Sequence, residues 1–228
     1  MAIKIIIFDL DGTLVDSSVD ICNALNYAIE GTGIKPVSVA RTITLIGEGI
    51  SRLFEKLLEE EKYNGDKEAL ISRYLDHYSA HIIDNTSLYP GVKDSLEALG
   101  DYRKVVITNK REESSAQILN ALGISKHFDF IAGSDTTPGK KPSPVPIQFV
   151  LEKFGLKPSE AVIVGDSTYD IDAGLAAGIT TIAVTYGYRP IHELQKAHYR
   201  VDKMPDVIPI MKQLVEKKES GVRRKVER

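Results

Sequence analysis

The chain of 228 residues has one cysteine, no long apolar run and no excess of positive charge, and each shortage excludes a class of protein. Because Cys22 is alone, it forms no internal disulfide, which excludes a disulfide-stapled secreted domain and favours a reducing cytoplasm. The purely apolar stretches span a handful of residues, well short of the roughly 20 that cross a bilayer. We therefore expect no membrane span, and the N-terminus shows no secretion-signal pattern.

Charge is nearly balanced, with 29 lysines and arginines against 32 aspartates and glutamates and a formal net charge of −3. Dedicated nucleic-acid binders usually carry a strongly basic face, so this balance predicts no nucleic-acid partner. Residues 217–228 hold six basic and two acidic side chains, and we interpret them as the solvated end of a helix. The 43% of hydrophobic residues is typical of a globular protein with one large or two smaller domains.

Five short apolar runs, rich in β-branched residues, each end abruptly in polar residues. Runs that do not alternate are typical of strands buried on both faces, as in a parallel sheet covered by helices. Helical patterns lie between them, several followed by glycine. The order predicts an α/β fold with a doubly wound, Rossmann-like parallel sheet. The predicted strands are 3–8, 105–107, 128–132, 161–164 and 180–184, and the predicted helices are 92–99, 112–122, 145–154 and 171–177.

One interval departs from this alternation. From about Ser17 to Leu88 the sequence has helical patterns and no strand pattern. Some 70 residues between the first two strands is too long for a simple crossover, so we predict an inserted domain. The predicted core comprises residues 1–15 and 88–228, and residues 16–87 form an all-helical cap.

Four carboxylates follow two of the predicted strands at the points where those strands end. Asp9 and Asp11 follow the first strand, and Asp166 and Asp170 follow the fourth. Because the carboxyl ends of parallel strands share one edge of a sheet, these side chains are expected to lie together. Such a cluster repels itself unless protons or a cation neutralise it, and ligands that are all oxygen favour Mg²⁺. We therefore predict a Mg²⁺ site at this edge.

Hydroxyl, amide and ammonium groups reach the same edge. Thr108 and Asn109 follow the second strand, and Lys141 follows the third. Such donors suit the oxygens of a phosphate group. Other interpretations stay open: Thr108, Asn109 and Asp170 are all common helix N-caps, and Lys141 could be a solvated loop lysine beside Lys140.

Four short motifs resemble those of the haloacid dehalogenase superfamily and occur in the same order. Asp-Leu-Asp-Gly-Thr at 9–13 resembles the first, Thr-Asn-Lys at 108–110 the second, Lys-Pro-Ser-Pro at 141–144 the third, and Gly-Asp-x-x-x-Asp at 165–170 the fourth. The resemblance covers essentially the whole chain, including a helical cap inserted after the first motif. It is greatest to the phosphoglycolate phosphatases of this superfamily.

The resemblance implies a role for each motif residue. Asp9 would be the nucleophile that takes the phosphoryl group. Asp11 would protonate the leaving alkoxide and later take a proton from the attacking water. Mg²⁺ would be held by Asp9, by the backbone carbonyl of Asp11 and by Asp166.

The remaining motif residues would hold the phosphate. The resemblance implies that Thr108 and the Asn109 N–H bind phosphoryl oxygens and that Lys141 neutralises both the phosphate and the nucleophile. Asp170 would orient Lys141 or a metal-bound water. Gly12 would leave the loop room to turn.

The cap supplies candidates for substrate binding. The resemblance implies that a loop such as Gly47-Glu48-Gly49 reaches over the active site, with Arg41 a candidate for binding a substrate carboxylate. The same glycines could instead form a hinge. His77 and His81 have the spacing of metal ligands on a helix but lack a third ligand, so we interpret them as a packing pair.

The resemblance implies a Mg²⁺-dependent phosphatase that hydrolyses a small phosphorylated metabolite, with 2-phosphoglycolate the best single candidate, through an aspartyl-phosphate intermediate. Alternatives of the same fold are a β-phosphoglucomutase-like phosphotransferase and an inorganic pyrophosphatase. A receiver-type phosphoacceptor domain also phosphorylates an aspartate, but it has neither a large helical insert nor a carboxylate two residues after the first. We expect a monomer or homodimer whose partner is a small molecule.

Overall fold

The computed structural model describes residues 3–215, so the basic tail at 217–228 lies outside the described residues. The strands are β1 (Ile5–Phe8), β2 (Val15–Asp16), β3 (Ser87–Leu88), β4 (Arg103–Ile107), β5 (Phe130–Ala132), β6 (Ala161–Gly165), β7 (Thr180–Val184) and β8 (Tyr199–Val201). The helices are α1 (Ser18–Ile29), α2 (Val39–Leu45), α3 (Ile50–Glu60), α4 (Lys67–Ala80), α5 (Val92–Ala98), α6 (Glu112–Ala121), α7 (Val145–Lys153) and α8 (Thr168–Ala176), and residues 207–215 are also helical.

Six strands form one parallel sheet in the order β5-β4-β1-β6-β7-β8. The predicted fold class and all five predicted strands are confirmed. The sequence patterns missed β8, a three-residue edge strand in which Val201 alone is fully buried. They also missed the two-residue strands β2 and β3, and β3 lies at the end of the interval predicted to lack strands. Strands this short offer too few side chains for a pattern to emerge.

The central strand β1 shows why the apolar runs do not alternate. Ile5 and Ile7 pack on one face of the sheet, in a hydrophobic cluster with residues of α7 and α8. Ile6 and Phe8 pack on the other face, in a cluster with residues of α5, α6 and the helical segment 207–215. All four side chains have no exposed surface. Burial on both faces selects apolar residues at every position of the strand.

The four helices α1 to α4 lie between β2 and β3, which pair antiparallel in the register Val15 with Leu88 and Asp16 with Ser87. The chain therefore leaves the core and returns to it side by side. The Asp20 carboxylate reinforces this junction, because it accepts hydrogen bonds from the backbone N–H groups of Asn85 and Thr86 at 2.7–3.1 Å. Within residues 3–215, no helix combines the length and the apolar character needed to span a bilayer.

We expect Ile7→Ala to lower the free energy of unfolding by about 2–5 kcal/mol, because it leaves a cavity between the sheet and α7. Urea unfolding followed by circular dichroism measures this change. Ile191→Ala is the matched control, since 57% of Ile191 is exposed and surface truncations change stability by about 0.5 kcal/mol or less. Equal effects of the two substitutions would contradict the assignment of Ile7 to the core.

Candidate active site

The loop after β1 places two carboxylates at the edge of the sheet. The backbone N–H of Asp9 donates to the Val164 carbonyl at 3.0 Å, which continues the hydrogen-bond ladder one residue beyond the strand. The chain then turns sharply, because the Leu10 carbonyl accepts the N–H of Leu14 at 2.9 Å. Asp9 and Asp11 therefore both line the cavity above this edge.

Gly12 is required at its position for two reasons. Its φ of +84° lies in the left-handed region that favours glycine. A Cβ atom added at Gly12 would lie 2.3 Å from Oδ2 of Asp166, far inside van der Waals contact. The loop of the first motif thus packs directly against the carboxylate of the fourth.

Asp9, Asp166 and Asp170 form a buried cluster in which one oxygen of each lies within 4.8 Å of the others. The Lys141 ammonium lies between two of them, 2.7 Å from Asp9 Oδ1 and 2.6 Å from Asp170 Oδ1. The side chain of Lys141 is 2% exposed, so it is not a solvated loop lysine. The cluster has three carboxyl groups for one ammonium group.

This imbalance shifts the protonation of the cluster. Burial, together with the charge of Asp170, raises the pKa of Asp9 to about 8, although Lys141 opposes the rise. Burial and Asp170 also raise the pKa of Asp166 to about 7. Burial lowers the pKa of Lys141, but the carboxylates of Asp170 and Asp9 outweigh burial, so its pKa is raised. The cluster therefore favours additional positive charge, either protons or a metal ion.

The donor set fits a hard divalent cation such as Mg²⁺, because all of the ligand atoms are carboxylate oxygens. Asp166 is held in place by the Thr13 hydroxyl at 3.0 Å and by the backbone N–H of Tyr188 at 2.7 Å. Asp170 differs, since its Oδ1 accepts from Lys141 and its Oδ2 accepts from the N–H and hydroxyl of Ser167. These contacts suit Asp170 to orienting Lys141.

The structure corrects the alternative that Asp170 N-caps a helix beginning at Ile171. Helix α8 begins three residues earlier, at Thr168, and its N-cap is Ser167. Asp170 lies in the first turn, where a carboxylate can accept the N–H of the N-cap residue. The N-cap of α6 is Arg111, so neither residue of the Thr108-Asn109 pair occupies that position.

Thr108 and Asn109 are buried at the end of β4. The backbone N–H of Thr108 donates to the Ala132 carbonyl at 3.0 Å. The side-chain amide of Asn109 donates to the carbonyls of Gly47 at 2.7 Å and Lys141 at 2.8 Å. Asn109 thus connects the second motif to the third and to a loop of the helical insert.

Asp11 has partners that the sequence reasoning did not identify. Its Oδ1 accepts from the Ser17 hydroxyl at 2.5 Å, and its Oδ2 lies 3.1 Å from the Lys110 ammonium. Lys110 also donates to the Tyr78 hydroxyl at 3.0 Å. Lys110 stood in the second motif and could have been considered from the sequence, whereas Tyr78 on α4 meets it only through the fold.

The cavity above Asp9 has a polar floor and an apolar roof. The floor consists of polar side chains at the ends of β1 and β4 and in the loops after β5 and β6. The roof comes from the helical insert and contains Ile21, Ile46, Ile50, Leu53, Tyr74, Leu75 and Tyr78.

The loop Gly47-Glu48-Gly49 lies over this cavity, and both of its glycines line it. The Lys140 ammonium donates to the Glu48 carbonyl at 2.8 Å, and the Tyr169 hydroxyl donates to the Glu48 carboxylate at 3.0 Å. The insert loop is therefore tied to the core from two sides.

Arg41 is placed elsewhere. Its guanidinium pairs with Glu60 and donates to the Thr44 hydroxyl on the surface of the insert, and Arg41 is not among the residues that line the cavity. His77 and His81 stack their rings with centroids 4.4 Å apart, as expected for a packing pair. The one cluster of metal-ligating side chains found in residues 3–215 is the aspartate cluster.

Comparisons with known proteins agree with this geometry. The family model of haloacid dehalogenase-like hydrolases matches residues 6–184. Phosphoglycolate phosphatases of Chromobacterium violaceum and Aquifex aeolicus are 38% and 36% identical, covering 92% and 91% of this chain and 97% and 96% of those proteins. A crystal structure of a predicted phosphoglycolate phosphatase from Haemophilus somnus 129pt is 32% identical with a TM-score of 0.86, covering 91% of this chain and 97% of that one.

The chain therefore belongs to the haloacid dehalogenase-like hydrolases. This membership confirms the family resemblance and the prediction of an enzyme of the phosphatase type. It excludes the alternative of a receiver-type domain.

The raised pKa values of Asp9 and Asp166 predict how the free energy of unfolding of the metal-free protein depends on pH. Both folded-state values, about 8 and about 7, lie above the ordinary value of 3.8, so the folded state binds more protons than the unfolded state between these limits. The free energy of unfolding of the metal-free protein should therefore fall as pH rises from about 4 to about 8. Asp166→Asn should weaken this dependence, because the amide stays neutral.

Thermal unfolding of both proteins in EDTA, at several pH values between 5 and 8.5, measures the difference. Asp9 changes in the same direction, because the charge of Asp166 contributes to its raised pKa, and the titrating groups that do not interact with Asp166 cancel in the comparison. We expect the melting temperature of Asp166→Asn to rise relative to wild type as pH increases. A difference that does not change with pH would contradict the burial of a charged cluster.

Proposed function

We propose that this enzyme is a Mg²⁺-dependent phosphatase that hydrolyses 2-phosphoglycolate through a phosphorylated Asp9. The observation that carries the proposal is the placement of Asp9, which lines the cavity 2.7 Å from the Lys141 ammonium and within the carboxylate cluster. Asp11 lines the same cavity, so a nucleophile and a proton carrier are available together. The curated relatives support the substrate, since they carry the name phosphoglycolate phosphatase.

The reaction has two steps. In the first, a carboxylate oxygen of Asp9 forms a bond to phosphorus, the bond from phosphorus to the ester oxygen breaks, and Asp11 gives its proton to the departing alkoxide. In the second, the oxygen of a water molecule forms a bond to the same phosphorus while Asp11 takes a proton from that water. The bond from phosphorus to the Asp9 oxygen breaks, which releases inorganic phosphate and restores the Asp9 carboxylate. Because Asp9 must be ionised to attack, positive charge is needed close to it, and Lys141 supplies part of this charge.

Mg²⁺ would be held by the carboxylates of Asp9 and Asp166 and by the backbone carbonyl of Asp11. When bound, it screens the nucleophile from the phosphate oxygens and stabilises the charge of the transition state. The contacts of Asp170 to Lys141 and Ser167 support a positioning role for Asp170.

Thr108, the Asn109 N–H and Lys141 would hold the phosphoryl oxygens. All three residues line the cavity beside Asp9, and donors removed from water bind a charged oxygen more strongly than exposed ones do. Gly12 would contribute the tight turn that brings Asp9 and Asp11 to the same cavity.

The helical insert would enclose the leaving group. Gly47 passes so close to the core that an added Cβ atom would lie 2.6 Å from the Tyr169 ring. Because Gly47 and Gly49 have no side chains, they leave space for a small substrate beneath the apolar residues of the roof. Glu48 anchors the loop, and Arg41 has no part in this site.

We place the reaction in the cytoplasm, since Cys22 is a free thiol.

A panel of phosphorylated metabolites tests the proposed substrate. With Mg²⁺ present, we expect kcat/KM to be highest for 2-phosphoglycolate, because specificity reflects differential binding of transition states. The panel includes β-glucose 1-phosphate, assayed for phosphoryl transfer, and pyrophosphate. A higher kcat/KM for either compound would replace the proposal with a mutase or a pyrophosphatase.

Asp9→Asn should lower kcat by at least about a thousandfold for every substrate, because an amide oxygen does not form the acyl phosphate. Asp11→Asn should lower kcat by roughly a hundredfold to ten-thousandfold while the protein stays folded, as expected for loss of an acid and base. Phosphate release in the presence of Mg²⁺ measures both. Asp101→Asn is the matched control on the surface. Wild-type turnover in Asp9→Asn would refute the assignment of Asp9 as the nucleophile.

A further inference from the structure

Lys110 is a buried cation in the active-site wall that the reaction above does not use. Its side chain is 10% exposed, and it lines the cavity together with Asp11 and Tyr78. Three contacts fix its ammonium group: Asp11 Oδ2 at 3.1 Å, the Tyr78 hydroxyl at 3.0 Å and the Tyr78 ring, whose centroid is 4.7 Å away. A lysine side chain that is already held in one position loses little conformational freedom when its ammonium group binds a ligand.

The ammonium group has one donor left. A lysine has three N–H donors, and within residues 3–215 Asp11 and Tyr78 are the two acceptors found for Lys110. Because the side chain lines the cavity, we expect the remaining donor to serve a ligand there.

The other cations of the cavity are committed elsewhere. Lys141 lies between Asp9 and Asp170. Arg111 lies at the rim, where its side chain is 45% exposed and pairs with Asp135 at 3.4 Å. An anionic leaving group under the apolar roof would therefore meet Lys110 first.

We propose that Lys110 binds a carboxylate on the leaving group and thereby selects phosphate esters of short hydroxy acids. The proposal rests on the proposed function, in which Asp11 protonates the ester oxygen. In 2-phosphoglycolate the carboxylate carbon is two bonds from that oxygen. A group that binds this carboxylate must therefore lie next to Asp11, and Lys110 does, at 3.1 Å.

The surroundings of Lys110 set the length of the substrate. Tyr78 covers one side of the ammonium group with its ring and hydroxyl, which holds the cation close to Asp11. Leu75 and Ile50 line the roof of the same cavity, so a carboxylate that extends beyond Lys110 on a longer leaving group would enter apolar surroundings without a partner. A partly buried ion pair also contributes more binding free energy than an exposed one.

Matched substrates and matched variants test this assignment. kcat/KM is measured with Mg²⁺ for 2-phosphoglycolate, 2-phospholactate and 3-phosphoglycerate, and for ethyl phosphate, which has no carboxylate. The proteins are wild type, Lys110→Met, Lys110→Arg and, as the control, Lys93→Met, which makes the same change at an exposed position on α5. Thermal unfolding without substrate verifies that each variant is folded.

For Lys110→Met we expect the ratio of kcat/KM between 2-phosphoglycolate and ethyl phosphate to fall about a hundredfold, mainly through KM, because a buried carboxylate loses its partner. Lys110→Arg should keep the ratio within about tenfold, and Lys93→Met should not change it. A merely structural role would lower both substrates equally and leave the ratio intact, which would overturn the proposal. If Lys110→Met is unfolded, Tyr78→Phe is measured in its place, because it removes the hydroxyl that accepts from Lys110. We then expect the same ratio to fall about threefold to tenfold.

The outcomes separate this proposal from the proposed function. If wild type prefers 2-phospholactate and Lys110→Met removes that preference, the substrate is wrong and the role of Lys110 stands. If wild type prefers 3-phosphoglycerate, whose carboxylate lies one bond further from the ester oxygen, the selection of short hydroxy acids by Lys110 is refuted. If wild type prefers 2-phosphoglycolate and Lys110→Met keeps the preference, the substrate stands and the role of Lys110 is refuted. If wild type shows no preference for a carboxylate, both are refuted.

Discussion

Three carboxyl groups, those of Asp9, Asp166 and Asp170, are buried beside the single ammonium group of Lys141. Burying this much negative charge is unfavourable, and many features of the surrounding chain act to hold it. Three positions beside the cluster favour glycine, because a Cβ atom at Gly12 or Gly187 would overlap Asp166 and one at Gly165 would overlap Asp170. The hydroxyl of Thr13 and the N–H groups of Ser167 and Tyr188 supply hydrogen bonds to the carboxylates. The cluster thus determines both the local backbone and the affinity for a cation.

The helical insert covers the candidate site with residues that line the same cavity. A single hydrophobic cluster extends from Phe8 in the sheet to Leu25 on α1 and Phe54 on α3, so the insert packs on the core rather than standing apart. In the proposed reaction, its apolar roof would lower the polarity around the phosphate and so strengthen the charged contacts there. In the proposed reaction, the strand ends would supply the charged groups for phosphoryl transfer, and the insert would supply the shape and the few polar contacts that distinguish leaving groups.

The sequence allowed the sheet and the main motif residues to be predicted, because strands buried on both faces are continuous apolar runs and their polar ends share one edge. It did not allow β8 to be predicted, since three residues at a half-exposed edge carry no pattern. The contact of Lys110 with Tyr78 and the pairing of Arg41 with Glu60 were also out of reach. Both depend on how the helices of the insert pack on the core and on each other. This packing determines which partners a long cationic side chain can reach.

The strand order has a consequence for how the protein is made. β1 precedes every other described element along the chain, yet its neighbours in the sheet are β4 and β6, with Ile5 opposite Arg103 and Ala161. The helices α1 to α4 are synthesised in between, and their contacts with one another are closer in sequence, which favours early formation. The strand that carries Asp9 therefore has no partner in the sheet until β4 has been translated, and it gains its second neighbour only after β6. The acidic edge is complete only after Asp170 has been translated, so shorter, partly synthesised chains lack the cluster of three carboxyl groups.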